Sequence, residues 1–251
     1  RKSTGFVLAD TGSTADDIGD EPMQFHTKFD AISVAVDADR QNGIAKLQES
    51  VSPEIILLDD AFQHRKVKAG FYVLLTKYNE LFVDDLLLPA GNLRESKRGA
   101  KRADVIIVTK CPNSISALEQ KKIIKKLNVT QDVFFSSIGY ADKIVGAKNV
   151  VLEDIISTEF TLVTGIANPS PLIGYLKQKQ LHFKHLAFKD HHNFTDKELE
   201  DLSKKELILT TEKDYMRLKD KLSNVSYLPI ITEFVSNKTA FDKKILSYVK
   251  K

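Results

Sequence analysis

Residues 55–65 have the sequence IILLDDAFQHR, in which four apolar residues run directly into two carboxylates. An apolar run of this length predicts a buried strand in an α/β protein. Asp59 and Asp60 would then lie at the carboxyl end of that strand, where open α/β sheets bind their ligands. An acidic pair after a strand also occurs as an ordinary helix cap or solvated turn, so this stretch alone leaves both interpretations open.

The apolar run followed by Asp59 and Asp60 resembles a Walker B strand, in which an aspartate holds the magnesium ion that bridges nucleotide phosphates. Such a strand normally works beside a phosphate loop of the form Gly-x-x-x-x-Gly-Lys-Ser/Thr, and the sequence contains no such loop. Either the chain is not a phosphate-loop enzyme, or that loop precedes Arg1. Residues 1–6 include neither an initiator Met nor an apolar signal-peptide core, so we expect a fragment.

Short runs rich in Val, Ile and Leu alternate with charged stretches of helical length along the chain. This alternation predicts an α/β fold with mainly parallel sheets covered by helices. We predict two lobes: a phosphate-loop NTPase-like lobe over residues 1–130 and a smaller Rossmann-like lobe over 158–251, joined by a hinge or small β linker over 131–157. The predicted strands are 31–36, 54–58, 71–76, 105–109, 160–164, 207–210 and 227–231, and the predicted helices are 116–126, 171–179 and 195–205.

Composition restricts the class of protein. The content of 42% hydrophobic and 28% charged residues is ordinary for a globular enzyme, and a net charge of +3 gives no sign of wholesale nucleic-acid binding. Cys111 is the only cysteine, which excludes an intrachain disulfide and a metal site built from several cysteines. The apolar runs are far shorter than the roughly 20 residues that span a bilayer.

A glycine turn at residues 18–22, IGDEP, presents two adjacent carboxylates just where Pro22 can enter the first turn of a helix. Asp20 is therefore placed to accept a proton from an attacking hydroxyl group, a role that positioned carboxylates have in kinases. An ordinary helix start explains the same residues.

A basic loop follows at residues 88–102, LPAGNLRESKRGAKR. Its Pro and Gly residues fix a loop, while its five Arg and Lys side chains suit phosphates or an anionic lipid surface. A solvated basic loop is the alternative. The basic residues are Arg94, Lys97, Arg98, Lys101 and Arg102.

Two further polar clusters occur in the second half of the chain. Residues 188–194, FKDHHNF, contain an Asp-His-His sequence, but no second group of ligands stands at zinc-like spacing. We favour a catalytic or structural histidine there, with an exposed histidine pair as the alternative. Residues 211–214, TEKD, follow a predicted strand and either line a cleft or cap the next helix.

Four motifs in order resemble the tetraacyldisaccharide 4'-kinase family, and the resemblance covers essentially the whole chain. The motifs are GDEP at 19–22, AVDADR at 35–40, DDAFQH at 59–64 and LPAGNLRE at 88–95, continued by Asp190-His191 and by TEKD at 211–214. Ala61 stands where the family usually has glycine, and Asn92 where it usually has proline. These departures concern loop geometry rather than required chemistry.

The resemblance implies an enzyme that uses ATP and Mg²⁺ to phosphorylate the 4'-hydroxyl of an acylated glucosamine disaccharide 1-phosphate in lipid A biosynthesis. It implies a monomer that binds no nucleic acid and lies peripherally on the cytoplasmic face of the bacterial inner membrane. In that family the phosphate loop and a membrane-seating helix lie upstream of a segment resembling residues 1–6. By that implication the present fragment is inactive, because it lacks the main phosphate-binding loop.

The resemblance also implies roles for single residues. Asp20 would be the general base, assisted by His191, and Asp59 and Asp60 would organise magnesium. Contacts to phosphates and to the disaccharide head would come from Arg40, Gln63 and Arg94, while Glu21 supports the site. Two alternatives remain: a different Walker-type small-molecule kinase or ATPase, and a binding module that uses the basic loop on anionic lipid.

Overall fold

The structure is a computed structural model that describes residues 3–190 and 192–250. Its contacts form two compact units, residues 1–52 with 140–230 and residues 53–139 with 231–251. The first 52 residues group with the later part of the chain because their helices pack against residues 212–218. The two lobes predicted from the sequence, 1–130 and 158–251 with a linker over 131–157, have other boundaries than these units. They stay a prediction.

The described residues form the following elements. The strands are β1 (Val7–Leu8), β2 (Ala35–Val36), β3 (Val73–Lys77), β4 (Val105–Thr109), β5 (Asp132–Tyr140), β6 (Val145–Gly146), β7 (Phe160–Thr164), β8 (Phe183–Ala187), β9 (Ile208–Thr210), β10 (Val225–Tyr227) and β11 (Ile230–Phe234). The helices are α1 (Ala15–Ile18), α2 (Asp20–Lys28), α3 (Arg40–Ser50), α4 (Ala117–Leu127), α5 (Ser170–Gln178), α6 (Asp196–Ser203), α7 (Glu212–Leu218) and α8 (Lys238–Val249). Short 3-10 helices lie at Lys97–Arg102 and Leu152–Ile155.

The first unit contains a sheet in the order β6-β10-β9-β7-β8, with parallel pairing from β10 to β8 and an antiparallel β6 at one edge. Side chains alternate across it, since Leu162 and Leu209 belong to one apolar cluster and Val163 and Ile208 to another. All four are fully buried. Burial on both faces is what parallel sheets require, and it explains why their strands have continuous apolar sequences.

The second unit contains a sheet in the order β11-β5-β4-β3, in which β3, β4 and β5 are parallel. On one face Val108 packs with Ile123 and other residues of a cluster that includes α4. On the other face Val105 and Phe134 pack with partly buried aromatic side chains, including one from α8. This sheet is therefore also covered by helices, and the predicted α/β class with mainly parallel sheets is confirmed.

The strand predicted at 54–58 is wrong. Residues 54–58 form no regular element, and Leu57 is 90% exposed. An apolar run becomes a buried strand only where another strand satisfies its backbone and a core receives its side chains. Within the described residues neither is provided, since the sheet of this unit ends at β3.

Three further elements differ from the sequence predictions, and the first is the strand predicted at 31–36, of which only Ala35–Val36 forms a strand. Residues 132–140, inside the predicted linker, form the long strand β5. The single strand predicted at 227–231 is divided into β10 and β11, because Pro229 lies between them and has no N–H for a ladder.

Several elements match the sequence predictions closely. The predicted strands 105–109 and 160–164 coincide with β4 and β7. The capping box predicted at Thr195 is confirmed, with Thr195 and Glu198 bonded reciprocally at the start of α6. Among the described residues, no helix combines the length and apolar character that crossing a membrane would need.

Candidate active site

Asp20 is the first residue of α2, and a glycine determines that position. Gly19 has a φ of +99° and lies between α1 and α2, a conformation that residues with a Cβ atom rarely adopt. Its N–H group closes α1 by donating to the carbonyl of Ala15 at 2.9 Å. The carboxylate of Asp20 therefore stands in the first turn of a helix, where the helix dipole favours negative charge.

An apolar contact fixes α1 and α2 against α7. Ile18 and Met23 are buried together with Met216 of α7 in one cluster. Burying side chains of this size stabilises the contact by roughly 1.5–3 kcal/mol each. This packing brings residues 20 and 217, far apart in the sequence, to neighbouring positions.

Arg217 of α7 forms a two-point ion pair with Asp20. Its Nε atom donates to Oδ1 of Asp20 at 3.2 Å, and its Nη2 atom donates to Oδ2. The two side chains are only 14% and 15% exposed. Sequence analysis did not identify Arg217, because no local motif marks a partner that lies 197 residues from Asp20.

The same guanidinium group reaches the polar segment at 188–195. Its Nη1 atom donates to the backbone carbonyl of His192 at 3.3 Å. On the other side of residue 191, Asp190 pairs with Lys213 of α7 at 3.5 Å. His191, the predicted assistant of Asp20, lies outside the described residues, and its role stays a prediction.

His192 has a structural role. Its ring stacks on Phe188 at 4.8 Å between centroids and meets Phe194 edge-on at 5.0 Å. Nε2 of His192 lies 3.0 Å from the carboxylate of Glu198. The alternative of an exposed histidine pair is therefore wrong for His192, which is partly buried and has several partners.

The Glu198 carboxylate accepts several hydrogen bonds at the start of α6. The backbone N–H of Thr195 is the strongest donor, at 2.8 Å, and the His192 ring and the Thr195 hydroxyl add further contacts. These bonds favour the ionised form and lower the pKa of Glu198 to about 2. The carboxylate thus stays charged and holds the segment next to residue 191.

Residues 211–214, whose role the sequence left open, cap and anchor α7. The Thr211 hydroxyl accepts from the Asp214 N–H at 3.1 Å and donates to its carboxylate at 2.7 Å. Asp214 is fully buried and also accepts from the Gly165 N–H at 2.8 Å. Buried Glu212 pairs with Lys28 at 2.9 Å. The capping interpretation is therefore correct for this motif.

Arg40 and Glu21, the other predicted residues of the first unit, lie near helix starts. Arg40 begins α3, and its Nη1 atom donates to the carbonyls of Asp37 and Ala38 at 3.0 and 3.3 Å. Glu21 is an exposed second residue of α2. The phosphate and support roles predicted for these two residues stay predictions.

The second unit contains the other predicted group. Asp59, Asp60 and Gln63 lie in an exposed turn that follows the irregular segment 54–58. Asp60 has a φ of +44°, a left-handed conformation that aspartate tolerates. Its carboxylate pairs with Arg94 at 3.3 Å, although the side chains remain 71% and 61% exposed. The structure thus brings Asp60 and Arg94 into contact, while the magnesium and phosphate roles predicted for Asp59, Asp60, Gln63 and Arg94 stay predictions.

Arg102 of the basic loop contacts the turn that contains Asp59, Asp60 and Gln63. Arg102 forms two hydrogen bonds to the Glu95 carboxylate, at 3.1 and 2.6 Å. It also donates to the Phe62 carbonyl at 3.0 Å and lies 4.8 Å from the centre of the Phe62 ring. The bonds to Glu95 raise the pKa of Arg102. Arg102 therefore holds the turn by its backbone and ring.

Asp85 organises the loop that carries Arg94. It accepts from the backbone N–H of Asn92 at 3.1 Å and of Leu86 at 2.7 Å, and these bonds lower the pKa of Asp85. A proline at position 92 would have no N–H to donate, so this loop contact depends on a residue other than proline there. Gly91 is also required here, since a Cβ atom would meet the Asp85 carboxylate and the Leu86 backbone.

Asp59 and Asp60 provide the chemistry that a magnesium ion prefers. Their donors are carboxylate oxygens, and Mg²⁺ is usually held by one or two carboxylates together with water and substrate phosphates. In the ranges 3–190 and 192–250, no three His, Cys, Asp or Glu side chains form a group able to hold a metal. Two adjacent carboxylates suit a magnesium ion that takes its remaining ligands from elsewhere, and the magnesium role predicted for Asp59 and Asp60 stays a prediction.

Comparison with known proteins gives a consistent result along the whole sequence. Residues 1–250 match the family described as Tetraacyldisaccharide-1-P 4'-kinase. A tetraacyldisaccharide 4'-kinase of Flavobacterium psychrophilum is 50% identical over 260 residues, covering 99% of this chain and 75% of that protein. The corresponding protein of Bacteroides thetaiotaomicron is 41% identical, covering 100% of this chain and 74% of its own length.

A solved structure agrees with these sequence matches. The crystal structure of LpxK from Aquifex aeolicus in complex with ATP superposes with a TM-score of 0.76 at 26% sequence identity. The match covers 99% of this chain and 76% of that chain. Because the family match spans the sequence and the identities are high, the chain belongs to the tetraacyldisaccharide-1-phosphate 4'-kinase family.

Proposed function

We propose that the protein transfers the γ-phosphoryl group of ATP to the 4'-hydroxyl group of a tetraacylated glucosamine disaccharide 1-phosphate, a step of lipid A biosynthesis. The family match over residues 1–250 carries this proposal. The ATP bound to the Aquifex aeolicus relative supports ATP as the phosphoryl donor. In the reaction, the 4'-oxygen forms a bond to the γ-phosphorus, the bond to ADP breaks, and the hydroxyl proton must be removed.

Asp20 accepts that proton in the proposed mechanism. A general base must be ionised and oriented toward its hydroxyl group. The two-point contact with Arg217 fixes the plane of the carboxylate, and Gly19 places it in the first helical turn. His191 assists Asp20, and Glu21 supports the same helix start. A role as general base explains why the Asp20 carboxylate is partly buried and paired with the Arg217 guanidinium group.

Arginine and amide side chains contact the phosphates and the disaccharide head. Arg94 is exposed and makes one long contact with Asp60, so it can form two-point hydrogen bonds to a phosphate. Gln63 is exposed on the turn that contains Asp60. Arg40 makes both of its backbone contacts through Nη1, which leaves its other N–H donors able to contact an anion.

Asp59 and Asp60 hold a magnesium ion together with the nucleotide. A magnesium ion held by these two carboxylates would supply positive charge that offsets the negative charge of the nucleotide phosphates. Arg102 stabilises this turn by donating to the Phe62 carbonyl, and Glu95 in turn holds the Arg102 side chain. Isothermal titration of ATP into the protein with and without excess Mg²⁺ provides the check, and Asp59→Asn with Asp60→Asn should remove the Mg²⁺ dependence of the ATP affinity.

The protein acts as a monomer on the cytoplasmic face of the bacterial inner membrane, bound peripherally. The acylated substrate resides in a membrane, and the second unit exposes three consecutive leucines, Leu86 to Leu88. The basic 3-10 helix Lys97–Arg102 follows in the same loop, with Arg98 and Lys101 exposed. Exposed leucines beside basic residues suit an anionic lipid surface.

Radiolabelled phosphate transfer tests the proposal on the full-length protein. The acceptors are tetraacyldisaccharide 1-phosphate, the deacylated disaccharide 1-phosphate and free glucosamine, each with ATP and Mg²⁺. We expect label on the 4'-position of the acylated acceptor alone. Transfer to the soluble sugars but not to the acylated one would instead indicate a small-molecule kinase.

A further inference from the structure

We propose that Arg217 is a positioning residue for phosphoryl transfer, which holds Asp20 and the backbone beside residue 191 in one fixed arrangement on α7. The inference rests on the proposed function, in which Asp20 is the general base. Arg217 belongs to none of the motifs that suggested the family, and it is identified only by its contacts in the folded chain.

The ion pair between Arg217 and Asp20 has a defined geometry. Two different nitrogen atoms of Arg217 contact two different oxygen atoms of Asp20. A planar guanidinium group in this arrangement sets both the position and the rotation of a carboxylate, which a lysine ammonium group cannot do. The side chains are 14% and 15% exposed, so little water is available to replace the contact.

The same guanidinium group makes a further contact. Nη1 of Arg217 donates to the carbonyl of His192, the residue after His191. Lys213, one helical turn earlier on α7, pairs with Asp190, the residue before His191. Both chain neighbours of the proposed assistant are therefore tied to α7, and one of these ties passes through the residue that holds Asp20.

Helix α7 is itself firmly anchored. Thr211 caps its first turn, and the buried Asp214 accepts from the Gly165 N–H in the loop after β7. Met216 and Leu218 are buried in two different apolar clusters. A guanidinium group on such a helix can hold its partners within the narrow limits that proton transfer requires.

The arrangement is poorly explained by stability alone. Replacing a buried ion pair with apolar residues of similar size is often neutral or stabilising. A charged pair at this point of the fold is better explained by what the carboxylate does. Loss of Arg217 should therefore reduce the rate of the chemical step more than it reduces substrate binding.

Steady-state phosphate transfer by the full-length protein tests the proposal, with Arg217→Ala, Arg217→Lys and Asp20→Asn as variants. Lys221→Ala is the matched control, because Lys221 is an exposed cation just beyond the same helix. We expect Arg217→Ala to lower kcat on the order of 100-fold, with KM for both substrates changing by less than about threefold. Arg217→Lys should recover only part of the rate, because it restores charge without the two-point contact. Lys221→Ala should behave as wild type.

Chemical rescue provides a measurement that a merely structural role would not affect. Millimolar guanidinium ion should raise the rate of Arg217→Ala and leave the wild type and Arg217→Lys unchanged. The double variant Asp20→Asn with Arg217→Ala should be no slower than Asp20→Asn alone, because Arg217 acts through Asp20. If Arg217→Ala does not fold, Arg217→Lys carries the test, with a loss of kcat of roughly tenfold or more.

The outcomes separate the two proposals. An inactive Asp20→Asn together with wild-type kcat in Arg217→Lys and Arg217→Ala would overturn the positioning role and leave the proposed base in place. A change confined to KM in the Arg217 variants would overturn it as well. Wild-type kcat in Asp20→Asn would overturn the proposed base itself, and with it the inference.

Discussion

Asp20 in the first unit and Asp60 in the second both belong to a sequence motif, and each pairs with an arginine. The exposure of the two carboxylates and the number of their contacts differ greatly. The Asp20 side chain is 15% exposed and has a two-point partner, whereas Asp60 is 71% exposed and has one contact at 3.3 Å. Breaking a buried ion pair typically costs about 3–5 kcal/mol, while an exposed pair contributes about 0–1 kcal/mol. Asp20 is thus arranged in advance, and Asp60 is left adaptable for a ligand.

This difference matches the two kinds of chemistry proposed for the residues. A general base must be oriented before its substrate arrives, since misplacement by about 1 Å can cost on the order of 100-fold in rate. A magnesium ligand instead gains its geometry from the ion and the phosphates that arrive with it. The following predictions address this contrast, from the largest expected effect on stability to the smallest.

The anchoring of α7 is expected to depend strongly on Asp214. Asp214→Ala removes the acceptor for the Gly165 N–H and the Thr211 hydroxyl, and we expect a loss of about 3 kcal/mol in the free energy of unfolding. Urea denaturation measures it, and hydrogen exchange should rise in α7 and the loop after β7. Asp220→Ala, at an exposed residue just after α7, is the control. Equal stability of Asp214→Ala and Asp220→Ala would contradict the claim that Asp214 anchors α7.

The loop of the second unit is expected to depend on Gly91. A Cβ atom at this position would overlap the Asp85 carboxylate and lie 2.7 Å from the Leu86 nitrogen, so Gly91→Ala should destabilise by about 1–3 kcal/mol. Gly174→Ala is a matched control in α5, where nothing lies within 4 Å and the change should stabilise by about 0.5–1 kcal/mol. Urea denaturation of both variants decides the matter, and a tolerated Gly91→Ala would mean that the loop is less constrained than the contacts indicate.

The carboxylate beside His192 predicts a pH dependence of stability. Because folding lowers the pKa of Glu198 from 4.5 to about 2, the unfolded chain binds more protons in this range. The contribution of Glu198 is therefore present above about pH 4.5 and is lost as the pH falls toward 2. We expect the urea midpoint of the wild type to fall more between pH 5 and pH 3 than that of Glu198→Gln. Parallel curves would show that the hydrogen bonds of Glu198 are absent in solution.

The smallest effect on stability is expected at Arg94. Arg94→Ala removes only an exposed ion pair and should change the free energy of unfolding by less than about 0.5 kcal/mol. Its effect should appear as weaker ATP binding, measured by titration calorimetry, with Arg98→Ala as an exposed control from the same loop. Unchanged ATP affinity in Arg94→Ala would remove Arg94 from the phosphate site.

The sequence predicted those elements whose signals are local. The strands β4 and β7 and the capping box of α6 depend on neighbouring residues, and their predicted positions agree with the structure. The apolar run at 55–58 predicted a buried strand, but a run of four residues does not show whether a neighbouring strand and a core are present to bury it. In the described part of the chain it is irregular and exposed, so the local signal was insufficient.

For the candidate site, short motifs singled out Asp20 and Asp60, because a carboxylate beside a glycine turn or after an apolar run can be recognised within a few residues. The roles predicted for these two residues stay predictions. Arg217 could not be found in this way, because its relation to Asp20 arises only when α2 packs on α7 through Met23 and Met216. The order of four motifs identified the family, whereas the environment of each carboxylate required the folded chain.

The most direct test of the account compares Asp20→Asn with Asp30→Asn in the full-length protein, with the rate of a single turnover of ATP and tetraacyldisaccharide 1-phosphate as the measurement. Asp30 is an exposed carboxylate just after α2 and serves as the control. We predict that Asp20→Asn lowers the rate by about 10²–10⁴-fold, while ATP affinity stays within about twofold of the wild type. Asp30→Asn should retain the wild-type rate. A wild-type rate in Asp20→Asn would contradict the claim that Asp20 is the general base.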